Sequence, residues 1–198
     1  MQKRIETWFP KSVYINDEFQ KDLLPSLEDG IRSLFDVQPT ASNNSLNVKS
    51  SHTTNRKIHT IDGVFKTLSQ EIMKEVGAYA NSLGYHPEFF KRCRMADMWY
   101  NISDKGDYIF PHTHPGSFFS GAFYIKCDAY NEITFYDGLN QFAELPSNPN
   151  ELSYATASYQ CIPSRLLIFK SDFTHGVKAQ EGIGEKIVIS FNVIYSPQ

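Results

Sequence analysis

The chain is poor in the features that mark secreted, membrane or nucleic-acid-binding proteins. It has 198 residues and only three cysteines, Cys93, Cys127 and Cys161, none in a C-x-x-C pair. Odd in number and widely spaced, they read as free thiols in a reducing compartment. The opening "MQKRIETWFP" lacks an apolar stretch, so no signal peptide is expected. No apolar run approaches the length of a membrane span. The net charge of −3 leaves no basic excess for nucleic acid or anionic lipid. The cluster "KRCR" at 91–94 reads as a solvated turn before a strand. Internal repeats and low-complexity tracts are absent. The expectation is a cytoplasmic protein with neither nucleic-acid nor membrane partner, its oligomeric state left open.

What is present is a large apolar and aromatic fraction, 41% and 14%. That is enough for one domain, 1–198, with a real core. The chain divides by pattern. A short strand and turn surround Trp8, Phe9 and Pro10. From Asp17 to Phe35, Phe19, Leu23, Leu24, Leu27, Ile31 and Leu34 recur at helical spacing, with Asp17 as candidate N-cap and Pro25 as a kink or restart. Residues 36–60, rich in Ser, Thr and Asn, read as a long loop in which His52 and His59 are solvated. Asp62 caps a second helix from about Gly63 to Leu83. Its apolar face is Phe65, Leu68, Ile72, Val76, Tyr79 and Leu83, and Gly84 ends it. Residues 1–90 thus form a helical support. From 91 to 198 short aromatic and β-branched stretches alternate with turn residues, predicting a β-sandwich or barrel backed by the helices.

Chemistry concentrates in "PHTHPGSFFSGAFYI", 111–125. Side chains two apart on a strand point to one side, so His112 and His114 offer two imidazoles to one point. A third ligand would come from a distant strand, and His175 in "FKSDFTHGV" is the candidate. The last strand, "EKIVISFNVIY", has one apolar face. Its other face carries Lys186, Val188, Ser190, Asn192 and Ile194. A cation and two hydrogen-bonding side chains inside a barrel are costly unless they bind something polar.

The pattern N…G-x-Y-x-x-x-H-x-H-P-G-S-x-x-S-G-x-x-Y from Asn101 to Tyr124, followed by L-x-I-F…H and E-K-I-x-I-S-F-N, resembles the Fe(II)/2-oxoglutarate-dependent oxygenases. It is most like a bacterial and phage subgroup with a prolyl-hydroxylase-like core, and the opening "WFP" (Trp8 to Pro10) also resembles that subgroup's start. The resemblance is strongest from Trp99 to Asn192. It implies a double-stranded β-helix (jelly-roll, cupin-like) core over 91–198. It also implies Fe(II) on His112, His114 and His175, with 2-oxoglutarate and O2 as co-reactants. Lys186 would hold the far carboxylate of 2-oxoglutarate, and Asn101, Tyr124, Ser190 and Asn192 would line its pocket. The implied reaction is oxidative decarboxylation of 2-oxoglutarate coupled to hydroxylation of a peptidyl side chain or small metabolite. A phage source would put the protein in the host cytoplasm.

Two departures from the family pattern stand out. His114 occupies the position of a carboxylate, which leaves the metal site one charge more positive. Lys186 stands where many members have Arg, giving a point charge instead of a fork. The residues leave other readings open. Asp137 or Asp172 could supply a carboxylate, although both read more simply as turn residues. Asn101 could close a turn, Tyr124 could be core, and Ser190 and Asn192 could bond within the barrel. Phe118, Phe119 and Phe123 read as core, and Pro115-Gly116 as the turn after the ligands. The rival functions are a three-histidine dioxygenase without 2-oxoglutarate, a zinc or nickel hydrolase or isomerase, and a non-catalytic jelly-roll binding module.

Overall fold

In a computed structural model of the chain, residues 3–37, 45–138 and 146–196 are described. The elements run β1 (Val13–Asn16), α1 (Leu24–Val37), β2 (Ser45–Leu46), β3 (Lys49–Ser50), α2 (Val64–Ser82), α3 (Pro87–Phe90), β4 (Cys93–Ser103), β5 (Tyr108–His112), β6 (Phe119–Cys127), β7 (Glu132–Tyr136), β8 (Thr156–Gln160), β9 (Leu166–Lys170), β10 (His175–Val177) and β11 (Lys186–Tyr195). Their strands form two antiparallel sheets. The larger has the order β1-β9-β6-β11-β4-β3, the smaller β2-β5-β10-β7-β8. This is the mostly-β, helix-backed architecture expected for a jelly roll.

The alternation of β11 decides the layering. Ile187, Ile189, Phe191 and Val193 are fully buried and join Leu27, Ile31, Phe65, Leu68, Ile72 and Val76 in one core between the large sheet and the helices. Each such side chain stabilises the fold by roughly 1.5–3 kcal/mol. The opposite face of the same strand turns toward the small sheet. There a second, smaller core holds Ala122, Tyr124, Ile133, Phe135, Leu167, Phe169 and Val188. Gly121 lies where β6 meets β11, and a Cβ there would overlap the Phe191 ring and the Leu167 carbonyl. No helix among the described residues is long and apolar enough to cross a membrane.

Local departures from expectation have local causes. α1 starts at Leu24, after a 3-10 turn over Lys21–Leu23, because Pro25 suits a helix's first turn. Asp17 is no cap; its carboxylate pairs with Arg165. Nor does Asp62 cap α2, because it binds Lys66 one turn on, and the N-cap is Gly63 with φ 93°. α2 ends at Ser82 with Gly84 at φ 82°, as expected, but Leu83 turns outward.

The predicted loop 36–60 falls partly on 38–44, outside the described residues. Its remainder is built structure: β2 and β3 edge the two sheets, and 3-10 turns cover Ser51–Thr53 and Ile58–Thr60. Its polar residues serve the backbone. Ser50 Oγ accepts from His52 N, and Ser51 Oγ accepts from Tyr100 N. Val48 and Ile58 anchor it in the interior. His52 and His59 are therefore half-buried, not solvated.

Candidate metal centre and its cavity

His112 ends β5 and His175 begins β10, directly opposite one another in the ladder. The pairing contains a bulge, since two residues of β5, Phe110 and Pro111, face one of β10, Gly176, between this pair and the Ile109–Val177 pair. Pro111, which has no N–H to give a ladder, sits in it. Gly176 lies against it. A Cβ there would come 2.9 Å from the Ile109 carbonyl oxygen and 3.1 Å from Pro111 N. Bulge and glycine together let the strands approach and turn His112 toward His175. His114 follows in the loop before the Pro115-Gly116 turn, its backbone N–H tied to the Ser171 carbonyl at 2.9 Å. So only His112 of the H-x-H pair is on a strand.

The three rings converge. One ring nitrogen from each lies within 4.8 Å of the others, and no carboxylate joins this cluster among the described residues. Asp137 is instead 3.5 Å from Lys11, and Asp172 is exposed. His112 Nδ1 donates to the Phe110 carbonyl at 2.7 Å, and His175 Nδ1 to the Phe173 carbonyl at 2.8 Å. A carbonyl only accepts, so each Nδ1 carries the proton and each Nε2 presents a lone pair. His114 Nε2 faces His175 Nε2 at 3.2 Å. Burial holds all three rings neutral. It pushes His114 down to about 3 and His175 to about 4, and it lowers His112. Neutral imidazoles converging on one point are what a divalent transition metal takes. The donor set fits iron.

The cluster opens on a cavity of about 380 Å³ between the sheets, walled partly by Asn101, Tyr124, Lys186, Ser190 and Asn192. All eight residues singled out by sequence reasoning therefore border one space. Lys186 is 2% exposed and donates to Asn131 Oδ1 at 2.5 Å. Among the described residues no carboxylate pairs with it. Burial lowers its pKa. A buried ammonium whose hydrogen bond goes to a neutral amide, with the buried Asp107 carboxylate acting on it only through space, is a costly arrangement that a bound anion relieves. From Lys186 to Ser190 is four residues, about 13 Å along the strand. Ser190 is paired with Trp99, whose ring lies 6.1 Å from that of His114. The space between metal cluster and lysine thus has room for a short dicarboxylate.

The other predicted wall residues bond among themselves. Asn101 Nδ2 donates to Ser190 Oγ at 3.1 Å, and Ser120 Oγ donates to Asn192 Oδ1 at 2.8 Å. Tyr124 is buried beside Cys161, its hydroxyl pushed well above its usual pKa by desolvation. The thiols are inert, Cys127 being pushed up to about 12 by burial.

Sequence reasoning missed Asn131, His52, Arg56, Asp97 and Trp99. The last four line the cavity. For Asp97 and Trp99 a signal existed. They alternate with Asn101 along "DMWYN", and their register partners on β11 are Asn192, Ser190 and Val188, the cavity face. For Asn131, in a turn, no pattern pointed to the lysine.

A family model described as "Putative 2OG-Fe(II) oxygenase" matches residues 97–192. A search of the curated proteins finds no match. Among solved structures, a prolyl-4-hydroxylase of Pseudomonas putida aligns with TM-score 0.65 and 9% identity over 94% of each chain. HygX of Streptomyces hygroscopicus, solved with nickel and 2-oxoglutarate bound, aligns with TM-score 0.64 and 9% identity over 94% of this chain and 84% of its own. The non-heme α-ketoglutarate-dependent epimerase SnoN from nogalamycin biosynthesis gives 0.65 and 10%, over 94% and 82%. At these identities the likeness is one of fold.

Proposed function

We propose that the protein is an Fe(II)- and 2-oxoglutarate-dependent oxygenase that hydroxylates an unactivated C–H bond, a reading supported by the match of residues 97–192 to the oxygenase family model. The observation that carries the reading is the pairing of two features in one cavity. Three neutral histidines converge at one place, and a buried ammonium lacking a carboxylate partner among the described residues stands at another.

In this reading His112, His114 and His175 hold Fe(II), their Nδ1 partners fixing the tautomer of the two strand-borne ligands. Lys186 holds the far carboxylate of 2-oxoglutarate, and Asn131 aims the ammonium by taking one of its three protons. Asn101, Ser190, Ser120 and Asn192 keep the wall polar yet internally satisfied, so the cosubstrate meets a preformed surface. Phe169 and Phe135 pack on His175, with ring centroids at 4.6 and 5.8 Å, and exclude water from that side. When bound, the metal and cosubstrate supply an oxidant drawn from O2. The substrate is a small metabolite or a peptidyl side chain.

The test is O2-dependent release of succinate and CO2 from 2-oxoglutarate by the Fe(II)-loaded protein, with and without candidate substrates. Turnover that ignores Lys186→Ala, or that proceeds without O2, contradicts the assignment. A three-histidine dioxygenase needing no 2-oxoglutarate is the second reading, favoured by the all-histidine cluster. It predicts that Lys186→Ala spares activity.

A further inference from the structure

The cavity has a second cationic feature at its mouth. Arg56 is exposed and lines the opening, with His52 and Trp99 beside it. The Arg56 carbonyl accepts from Met98 N at 2.8 Å, which fixes the residue at the Asp97 end of β4. Asp97 is paired across the sheet with Asn192, six residues along β11 from Lys186 and so about 20 Å from it. The ring of Trp99, the residue paired with Ser190, lies beside both His52 and His114. Arg56 and Lys186 thus stand at different ends of the β4–β11 wall.

The charge at the mouth is not balanced. The Asp97 carboxylate is 3.4 Å from Lys57, which takes up its charge. Among the described residues Arg56 has no carboxylate partner. Its contact is with His52 Nε2 at 3.4 Å, where the guanidinium donates. That leaves the proton of a neutral His52 on Nδ1, a nitrogen shielded from solvent and without a partner among the described residues. Burial keeps this imidazole neutral. The Nδ1 proton is closed off from the cavity, so the exposed guanidinium is the group at the mouth that suits an anionic oxygen group. Next inward is the Trp99 ring, 5.0 Å from His52 and 6.1 Å from His114, an apolar wall leading to the metal cluster.

We propose that Arg56, braced by His52 Nε2, is the subsite for a carboxylate on the primary substrate, a small organic acid whose carbon chain runs along Trp99 to the metal centre. This rests on the oxygenase reading, because it assigns Lys186 to the cosubstrate and so leaves Arg56 for the substrate. The cavity, near the lower end of ligand-pocket sizes, must hold both molecules, which favours a small acid.

The experiment is anaerobic calorimetry on the Fe(II)-loaded protein saturated with 2-oxoglutarate. The probes are straight-chain acids from propionate to octanoate and their primary amides. The expected result is that at least one chain length binds as the acid about tenfold or more tighter than as the amide. Arg56→Ala abolishes that preference, Arg56→Lys keeps part of it, and neither changes the affinity for 2-oxoglutarate. The inference is overturned if acids bind no better than amides, if the preference survives Arg56→Ala, or if the acids bind only by displacing 2-oxoglutarate in a Lys186-dependent way. Failure of 2-oxoglutarate itself to bind sinks the oxygenase reading instead. The Arg56-dependent preference is then read on the metal-loaded protein alone.

Discussion

His175 faces His112 across an antiparallel ladder that carries a bulge at this point, with Gly176 seated against the extra residue. The candidate metal centre therefore depends on a backbone irregularity as much as on its three histidines. Gly176→Ala places a methyl group 2.9 Å from the Ile109 carbonyl oxygen and must push the strands apart. Expected is loss of metal affinity by about tenfold or more with the secondary structure retained. Fe(II) or Zn(II) titration beside circular dichroism measures both, and unchanged affinity would contradict the account.

Lys186 is held in the fold against its own desolvation. Lys186→Met should stabilise the metal-free protein, by roughly 1–3 kcal/mol, while ending 2-oxoglutarate binding. Urea unfolding and calorimetry on the same variant report the two effects. A Met variant that is less stable than wild type would mean that the ammonium is better satisfied than its single bond to Asn131 indicates.

Asn131→Asp puts a carboxylate beside that ammonium. The new ion pair neutralises the cation the cosubstrate needs. The affinity for 2-oxoglutarate should fall about tenfold or more, with Fe(II) affinity unchanged. Equal 2-oxoglutarate affinities of variant and wild type would remove Asn131 from the site.

His59 is half-buried away from the metal cluster, and desolvation lowers its pKa below the unfolded value of about 6.5. The unfolded chain then binds the extra proton first. Its contribution to stability is fully present above about pH 6.5 and is lost as pH falls toward the folded pKa. His59→Gln should lose less stability than wild type between pH 7 and pH 5, by thermal unfolding. Parallel pH profiles would contradict this.

The fold was legible where periodicity was strong. The five apolar positions of α2 from Phe65 to Tyr79 and the two-faced β11 lie as their spacing predicts, because a helix stripe and a strand face each have one way to be buried. The convergence of the three histidines was legible through the spacing of His112 and His114 and through His175 as the candidate on a distant strand. What stayed hidden is tertiary. The 45–60 segment looked like solvent-facing loop because its Ser and Thr side chains serve backbone N–H groups, which leaves no hydrophobic period. Asp17 and Asp62 have the composition of caps, but distant and local cations claim them. Arg56 reaches the cavity and Asn131 reaches Lys186 only through the tertiary fold, and no local pattern records that.

The central claim is that the three histidines and Lys186 hold one metal–cosubstrate unit. The most direct measurement is an oxygen-free titration of the metal-free protein with Fe(II), then 2-oxoglutarate, followed by visible absorption. Wild type, His112→Ala, His114→Ala and Lys186→Ala are run in parallel. The account predicts a new visible band on adding 2-oxoglutarate, absent in His112→Ala and His114→Ala, and requiring about tenfold or more cosubstrate in Lys186→Ala. Tight Fe(II) binding with no band in wild type, or a band indifferent to Lys186→Ala, would contradict it.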